Sequence, residues 1–463
     1  MTAISRPARQ AFALRVSSLA LAAVAGLPRT ASALPSFAAQ TGQPCTSCHV
    51  GGFGPQLTPF GRNFKLGGYL LEGGDGPLAH IPVAGYVETG FEHTLTRQPG
   101  GPAPGFATNN NVAIDQISLF LAGRLTDHLG AFVQGTYAEA QRGFRLDNTD
   151  VRLTNSFEAF GNDLVAGLDL NNSPTVEDAY NSTYAWGYPY ITSTLVPKPA
   201  AGPLLAGALS GNSYGLLAYA WYDRRILIEA GGYDTYGPTL LNVTGSAYGP
   251  GSAHSLAPYS RVAYEWNWNN QSAHVGAALL QGTFNPATAL RTATGAFGRD
   301  AYLDYAIDAD YMFLGDQSNI YTVNAIFTHE DRNLRGGVGL GNASRARQGL
   351  NQVQADVSYF YHQTYGLTVG VSTVWGCADS ALYSPAPIVG SANGKPNSNA
   401  VIVEADYIPF GKDGSWGYPL ANLKLGVQFT AYTEFNGGTK NYDGFGRSAS
   451  GNDSLYVFSW LAF

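Results

Sequence analysis

Apolar and polar side chains alternate along much of the chain, and residues 301–311 show the pattern most clearly. Every second position there is apolar. The positions between them carry three acids, namely Asp304, Asp308 and Asp310. A period of two places the two sets on opposite faces of a β-strand. The same alternation recurs at 352–359 and 401–407. It predicts strands with one face toward lipid and the other toward a water-filled lumen.

Strand-like segments of this kind fill most of the chain. Roughly sixteen follow one another from Ile81 to the C-terminus, separated by turns rich in Gly, Asn, Asp and Pro. They predict an all-β fold, a transmembrane antiparallel β-barrel of roughly 16 strands over residues 81–463. Three connections, 171–213, 235–256 and 376–399, are much longer than turns. We expect such loops outside the cell or folded into the lumen.

Composition favours a barrel over a helical membrane protein. Charged residues are only 13% of the chain, yet the mean hydropathy is -0.08 and no long apolar run follows the first thirty residues. Strands that show half of their residues to lipid have such a neutral average. The final segment, Leu455–Phe463, is rich in aromatic side chains that suit a bilayer interface.

The first 33 residues have the features of an export signal. Arg6, Arg9 and Arg15 precede an apolar run, and Ala31–Ala33 has the form of a cleavage site. The run is too short to span a bilayer, so we predict a signal peptide over residues 1–33. Its removal leaves 22 basic and 33 acidic residues, a net charge of -11. That balance argues against a nucleic-acid partner.

The segment Cys45-Thr46-Ser47-Cys48-His49 predicts the attachment of one haem c. Two thiols at this spacing each form a thioether with a haem vinyl group, and the histidine binds the iron from one side. Without haem, Cys45 and Cys48 could form a disulfide or bind a metal. No second ligand pair for structural zinc lies nearby, and the Gly- and Pro-rich surroundings are unlike a thioredoxin site. Cys377 is predicted to be a bystander.

Residues 34–80 form a small module, too short for a cytochrome c domain of the common size. Its apolar residues would cover one face of the haem, and we expect it to borrow further walls from the barrel. These residues are Phe53, Leu57, Phe60, Phe64 and Leu66. A barrel of roughly sixteen strands has a lumen wide enough for such a module. Residues 34–80 are therefore predicted to plug or line the lumen from the periplasmic end.

The second axial ligand of the haem iron is open. His49 is predicted on the proximal side, while His80, Met312 and His93 are candidates for the distal side. An open or water-bound position is the remaining alternative. The inward-facing acids of residues 301–311 offer ligands to Fe²⁺, but we interpret them as the ordinary polar wall of a barrel.

Several motifs together resemble one known family. They are Phe37-Ala38-x-Gln40-Thr41-Gly42, Cys45-x-x-Cys48-His49, Phe60-Gly61-Arg62-x-Phe64-Lys65 and Gly68-Tyr69, all ahead of a porin-like body. In this order they resemble the fused monohaem cytochrome-porins of bacterial outer membranes, whose best-known members are iron oxidases. The resemblance covers the order of parts over the whole chain, but the specific motifs lie only in residues 34–80.

The resemblance implies electron transfer across the bacterial outer membrane. Extracellular Fe(II), or another external donor, would reduce the haem, and a periplasmic electron carrier would accept the electron. The protein would then act as an Fe(II):cytochrome c oxidoreductase. The alternative is a diffusion porin, or an electron-export conduit whose haem exchanges electrons with a donor or acceptor other than Fe(II).

Overall fold

A computed structural model describes residues 34–463 except 76, 245, 247, 248, 290, 291, 294 and 416–420. The predicted signal peptide, 1–33, lies outside the described residues. Within them, sixteen antiparallel strands close into one barrel, because the first strand pairs with both the second and the last. The predicted fold is therefore confirmed.

The strands follow one another around the barrel in chain order. They are β1 Val83–Thr94, β2 Asn111–Arg124, β3 Leu129–Ala138, β4 Gly143–Ala159, β5 Asn162–Asn171, β6 Ser213–Tyr222, β7 Ile226–Thr235, β8 Ala257–Trp268, β9 Gln271–Asn285, β10 Asp300–Phe313, β11 Asn319–Leu334, β12 Arg347–Tyr361, β13 Tyr365–Gly376, β14 Ser398–Tyr407, β15 Asn422–Glu434 and β16 Ser454–Ala462. The short segment Ser252–Ala253 pairs with the end of β9, and Ala287–Ala289 pairs with Thr292–Ala293 outside the barrel.

Strand β10 shows how the sequence alternation becomes an inside and an outside. Asp304, Asp308 and Asp310 are buried within the barrel, whereas Ile307 is 65% exposed on the outer face. Val, Leu, Tyr and Phe side chains are exposed in the same way on most other strands. A soluble protein does not present so continuous an apolar exterior. The chain is a transmembrane β-barrel of the bacterial outer membrane.

The two ends of the barrel differ in the lengths of their connections. At the end that carries the C-terminus, six of seven connections have two to five residues, and 408–421 is the exception. At the other end, seven of eight have 12 to 41 residues. Short turns face the periplasm and long loops face the outside of the cell in such barrels. The C-terminal end is therefore periplasmic.

Three short helices precede the barrel in the chain: α1 Pro35–Thr41, α2 Cys45–Cys48 and α3 Pro59–Leu66. The Thr58 side chain caps α3 by accepting a hydrogen bond from the Gly61 amide at 3.2 Å, and Pro59 occupies the first turn. Two 3₁₀ turns, Val50–Gly52 and Pro77–His80, complete this region. Residues 34–70 pack inside the periplasmic end of the lumen, as the sequence predicts, whereas most of residues 71–75 are exposed.

The remaining helical segments belong to the longer connections. They are α4 Pro238–Thr244, α5 Arg335–Leu340, a π-type turn at Leu204–Ala208 and a 3₁₀ turn at Ala449–Asn452. No helix in the described part of the chain has the length and apolar character needed to cross a membrane.

The long β5–β6 connection, residues 172–212, folds into the lumen. Its Leu204 and Leu205 amides donate hydrogen bonds to Glu330 and Asp304 on the barrel wall, at 2.6 and 2.8 Å. Hydrogen bonds to the wall satisfy backbone groups that would otherwise be buried without partners. This connection lies on the extracellular side of the helical region, so both together occupy the lumen.

Candidate functional site

A cavity of about 340 Å³ lies inside the barrel between three different parts of the chain. The helical region contributes Cys48 and His49, which belong to the predicted haem motif. The wall contributes aromatic residues of β1, β2, β3 and β16, and the β5–β6 connection covers the cavity with Trp186 and Tyr190. The motif therefore opens on a partly open cavity that the short helical region alone could not form.

Hydrogen bonds hold the haem motif in a compact loop. The His49 amide donates to the Cys45 carbonyl at 2.8 Å, and the Val50 amide donates to the Gln56 carbonyl at 2.9 Å. Helix α3 then packs directly on the motif. A Cβ atom at Gly61 would lie 2.3 Å from the Cys48 carbonyl oxygen, so glycine is required there for the close approach.

His49 has the protonation state of a metal ligand. Burial lowers its pKa to about 4, although the nearby backbone of Gln56 opposes part of that shift. The imidazole is therefore neutral at physiological pH, the form that binds iron. Its Nδ1 atom is buried and makes no hydrogen bond of normal geometry. An imidazole in this state has a lone pair available for a metal ion.

The two motif cysteines differ in their surroundings. Neither forms a disulfide, and burial raises the pKa of Cys48 to about 12 and also raises that of Cys45. Cys48 lines the cavity, whereas Cys45 is only 1% exposed and lies beside Asn422 of β15. A thioether at Cys45 would require its side chain to turn from Asn422 toward the cavity. Cys377 is exposed and remote from the motif.

Aromatic side chains cover much of the cavity wall. Phe37 contacts Phe64 with ring centroids 5.0 Å apart, and Phe53 contacts Trp460 of β16 at 4.9 Å. Of the five apolar residues predicted to cover a haem, Phe53, Leu57 and Phe64 line the cavity. Phe60 instead lines a depression at the periplasmic opening, and Leu66 is buried against other strands.

None of the three residues predicted as distal ligands lines the cavity. His80 is exposed at the periplasmic rim, and His93 contacts Asn110 at the extracellular end of β1. Met312 does face inward, but its sulfur lies 3.5 Å from Arg62 and not in the cavity. The structure therefore brings Cys48 and His49 together at the cavity, with Cys45 on the same turn, and leaves these three candidates apart.

Polar residues at the cavity were missed in the sequence. They include Lys65, Tyr69, Tyr184 and Tyr190. Lys65 and Tyr69 belong to the motifs that carry the family resemblance, which was the available signal. The tyrosines of the β5–β6 connection carried no such signal in the sequence, because nothing in the local sequence indicates that this long loop folds back over the motif. Among the described residues, no cluster of three or more His, Cys, Asp or Glu side chains is arranged to hold a metal ion.

Arg62 anchors helix α3 to the barrel wall. Its guanidinium is fully buried and donates hydrogen bonds to Glu265 at 3.1 Å, to Ser272 at 3.0 Å and to Asp310. It also lies over the ring of Tyr180, 5.0 Å from the centroid. A buried cation needs such partners to offset its desolvation. Arg62 therefore fixes the helical region to strands β8, β9 and β10.

The contacts of Arg62 extend into a closed polar network. Asp310 and Asp308 flank the two ring nitrogens of His274, and Arg261 bridges Asp308 and Asp178 at 2.8 and 3.1 Å. Lys65 closes the network by donating to the backbone carbonyls of Val176 and Asp178, at 2.6 and 2.8 Å. The helical region, the wall and the β5–β6 connection are thereby joined in one unit.

The three inward acids of β10 are occupied by partners from the protein itself. Asp308 and Asp310 belong to this network, and Asp304 accepts a hydrogen bond from the Leu205 amide at 2.8 Å. These contacts agree with the interpretation of the acids as a polar inner wall.

Comparisons with known proteins concern the barrel. No protein-family model matches the sequence, and no curated protein matches it. Solved structures with a similar arrangement include OmpT, an outer membrane protein of Vibrio cholerae, at 9% identity and a TM-score of 0.42 over 82% of this chain and 97% of that one. An anion-selective porin from Comamonas acidovorans is 14% identical with a TM-score of 0.44, covering 82% of this chain and 98% of that one. The outer membrane channel DcaP of Acinetobacter baumannii is 10% identical with a TM-score of 0.45, covering 82% and 96%.

Proposed function

We propose that this protein transfers electrons across the outer membrane through one covalently attached haem c. The observation that carries the proposal is the joint opening of Cys48 and His49 on a cavity of about 340 Å³ within the barrel. A haem bound there would supply a one-electron couple within the barrel. The family resemblance of residues 34–69 suggests extracellular Fe(II) as the electron donor.

The residues around the cavity suit such a group. His49 is neutral and its buried Nδ1 atom makes no hydrogen bond of normal geometry, so the residue can serve as the proximal ligand. Cys48 can form one thioether in place, and Cys45 a second after rotation of its side chain. Phe37, Phe53 and Phe64 would exclude water from the group, which raises the influence of nearby charges on its potential.

The position of the motif suits electron delivery to the periplasm. Thr46 and Ser47, between the two cysteines, line a depression at the periplasmic opening of the barrel. Its other walls come from the β8–β9 and β10–β11 turns and include Asn270 and Gln317. Only a few residues thus separate the motif from a carrier in the periplasm. An extracellular donor must reach the site past the β5–β6 connection.

The proposal is tested with the full-length protein from a strain that attaches haem to cytochromes c. Covalent haem is measured by haem staining after denaturing electrophoresis, with the Cys45→Ser/Cys48→Ser variant as the control without attachment sites. Oxidised protein is then mixed with Fe(II), and conversion to the reduced absorbance spectrum is expected. Absence of covalent haem would overturn the proposal that the protein carries a haem c. If haem is attached but stays oxidised after mixing with Fe(II), the proposal that Fe(II) is the electron donor is overturned. A measured haem potential would then show which other donors could reduce the haem.

A further inference from the structure

We propose that Glu88 of β1 and Asp147 of β4 bind a divalent metal cation inside the cavity on which the haem motif opens. This inference deepens the proposed function and rests on it only for the identity of the cation, which would be the Fe(II) that donates the electron. The binding site itself follows from the charges and partners of the barrel wall and requires no haem.

The wall of the cavity changes from aromatic to polar along the barrel. On each of β1, β2 and β3, an aromatic lining residue lies toward the periplasm and a polar one toward the outside of the cell. These pairs are Tyr86 and Glu88, Phe120 and Gln116, and Phe132 and Gln134. Strand β4 adds Asp147 and Asn148 to the polar part. The polar part therefore lies on the side from which an extracellular cation arrives.

Glu88 is a buried carboxylate that lacks a hydrogen-bond donor at normal distance. Its side chain lines the cavity and is only 2% exposed. The Tyr456 hydroxyl lies 3.4 Å from Glu88 Oε1 but 2.8 Å from Asp115 Oδ2. Because a phenol has one proton to donate, the shorter contact leaves Glu88 without it. Asp115 also accepts from the amide and hydroxyl of Thr194, at 3.3 and 3.2 Å.

Glu88 and Asp147 also differ from many other inward acids, which form ion pairs with Arg or Lys. The paired acids are Asp150, Asp169, Glu265, Asp308, Asp310, Glu330, Glu404 and Asp406. Among the described residues, Lys198 and Arg145 lie within range of the charges of Glu88 and Asp147 but outside ion-pair distance. Lys198 donates instead to the Thr192 hydroxyl at 3.1 Å. A buried acid without a cation is costly and marks a candidate functional site within a membrane.

The two carboxylates have the chemistry that a hydrated divalent cation requires. They are close enough to repel each other, and both act on the hydroxyl of Tyr86. A cation between them would offset that repulsion. Asp147 Oδ2 accepts a hydrogen bond from Thr136 at 3.0 Å, which leaves its other oxygen for a metal. Carboxylate oxygens bind such cations, and one or two carboxylates suffice where the cation keeps part of its water shell.

The first test measures cation binding and needs no electron transfer. Full-length protein in detergent, verified as a closed barrel by heat-modifiable gel mobility, is titrated with Mn²⁺, and free Mn²⁺ is measured by electron paramagnetic resonance. We expect Glu88→Gln to weaken binding at least about tenfold. Asp304→Asn is the matched control, because it removes an inward carboxylate that the Leu205 amide already occupies. Equal binding by the three proteins, or no binding by the unmodified one, would overturn the inference.

A stability measurement guards against a variant that is merely damaged. Glu88→Gln keeps the size of the side chain and removes a charge that has no ion-pair partner, so its denaturant midpoint without metal should equal or exceed that of the unmodified protein. Added Mn²⁺ should raise the midpoint of the unmodified protein, since a ligand that binds only the folded state stabilises it. An equal rise in Glu88→Gln would overturn the site.

The second test separates the cation site from the proposed function. Protein with attached haem is mixed with Fe(II), and we expect Glu88→Gln to need at least about tenfold more Fe(II) for half-maximal haem reduction, at unchanged covalent haem per barrel. Equal Fe(II) dependence of both proteins would overturn the inference and leave the proposed function intact. Mn²⁺ binding that depends on Glu88, in a protein whose haem Fe(II) leaves oxidised, would support the site and overturn the proposed donor.

Discussion

Arg62 Nη1 lies 3.1 Å from Glu265 Oε1, so a residue that closely follows the haem motif is paired with the wall of the barrel 203 positions later in the chain. Both side chains are almost completely buried. Because Asp310 shares the same guanidinium, one cation pairs with two wall carboxylates. The position of the motif therefore depends on charges supplied by strands β8 and β10.

Substitution of Arg62 is expected to destabilise the protein strongly. Arg62→Met keeps much of the side-chain volume but leaves Glu265 and Asp310 buried without their cation, at a cost of about 3–5 kcal/mol. The matched control is Arg224→Met, because Arg224 is 62% exposed and pairs with Asp163 at 3.4 Å on the periplasmic rim. Its expected cost is within about 0.5 kcal/mol. Denaturant midpoints in detergent, followed by heat-modifiable mobility, distinguish the two, and equal midpoints would show that Arg62 is not an anchor.

A substitution at Gly61 is expected to displace α3 from the motif. In Gly61→Ala, the new methyl group would meet the Cys48 carbonyl oxygen at 2.3 Å, and a backbone atom cannot yield as a flexible side chain can. Overpacking of this kind costs about 1–3 kcal/mol, and we expect a lower haem content per barrel as well. Gly237→Ala is the control, since nothing lies within 4 Å of the position that its methyl group would take. Similar stability and haem content in both variants would contradict the close packing.

The lumen is expected to conduct ions poorly. Residues 34–70 and the β5–β6 connection occupy the space inside the barrel and are bonded to its wall at Arg62, Lys65 and Leu205. In planar bilayers, we expect a single-channel conductance at least about tenfold below that of an open pore of sixteen strands. Arg62→Met should raise the frequency of open events by loosening the helical region. A large, steady conductance of the unmodified protein would instead favour the alternative of a diffusion porin.

The strands could be predicted from sequence because the alternation that defines them is local. A period of two in residues 301–311 fixes which side chains face the lumen, and a one-residue shift of register would expose Asp304, Asp308 and Asp310 to lipid. The two ends of the barrel followed from the lengths of the connections. The Cys45–His49 motif could be recognised in the sequence because its two cysteines and its histidine lie close together in the chain.

Contacts between distant residues could not be predicted. Arg62 and Asp310 are 248 positions apart, and no local pattern pairs them. The same limit applies to the distal candidates, because His80 and His93 were chosen for nearness in sequence, whereas the cavity is closed by residues 181–190. A long polar connection carries no sign of whether it lies outside the cell or inside the lumen. Only the partners on the wall, such as Asp304 and Glu330, decide it.

Two aspartates on the same face of β10 are expected to respond in opposite ways to loss of charge. Asp308 accepts hydrogen bonds from Arg261 at 2.8 and 2.9 Å and from Ser182 at 2.6 Å, so Asp308→Asn removes a buried counter-ion. Its expected cost is about 3–5 kcal/mol. Asp304 lies directly opposite Glu330 on β11, and like charges in that arrangement repel. Asp304→Asn is therefore expected to be neutral or stabilising in the same denaturant measurement.

The Asp304→Asn variant also distinguishes a polar wall from an iron-binding surface. If these acids bind Fe²⁺ on its way to the haem, Asp304→Asn should raise the Fe(II) concentration needed for half-maximal haem reduction, although its fold is unharmed. If they are a polar wall, that concentration should match the unmodified protein, since Asp304 is already occupied by the Leu205 amide. We expect the second result. The Fe(II) dependence is decisive here because Asp304→Asn removes a carboxylate but keeps a side-chain oxygen that can accept the Leu205 amide.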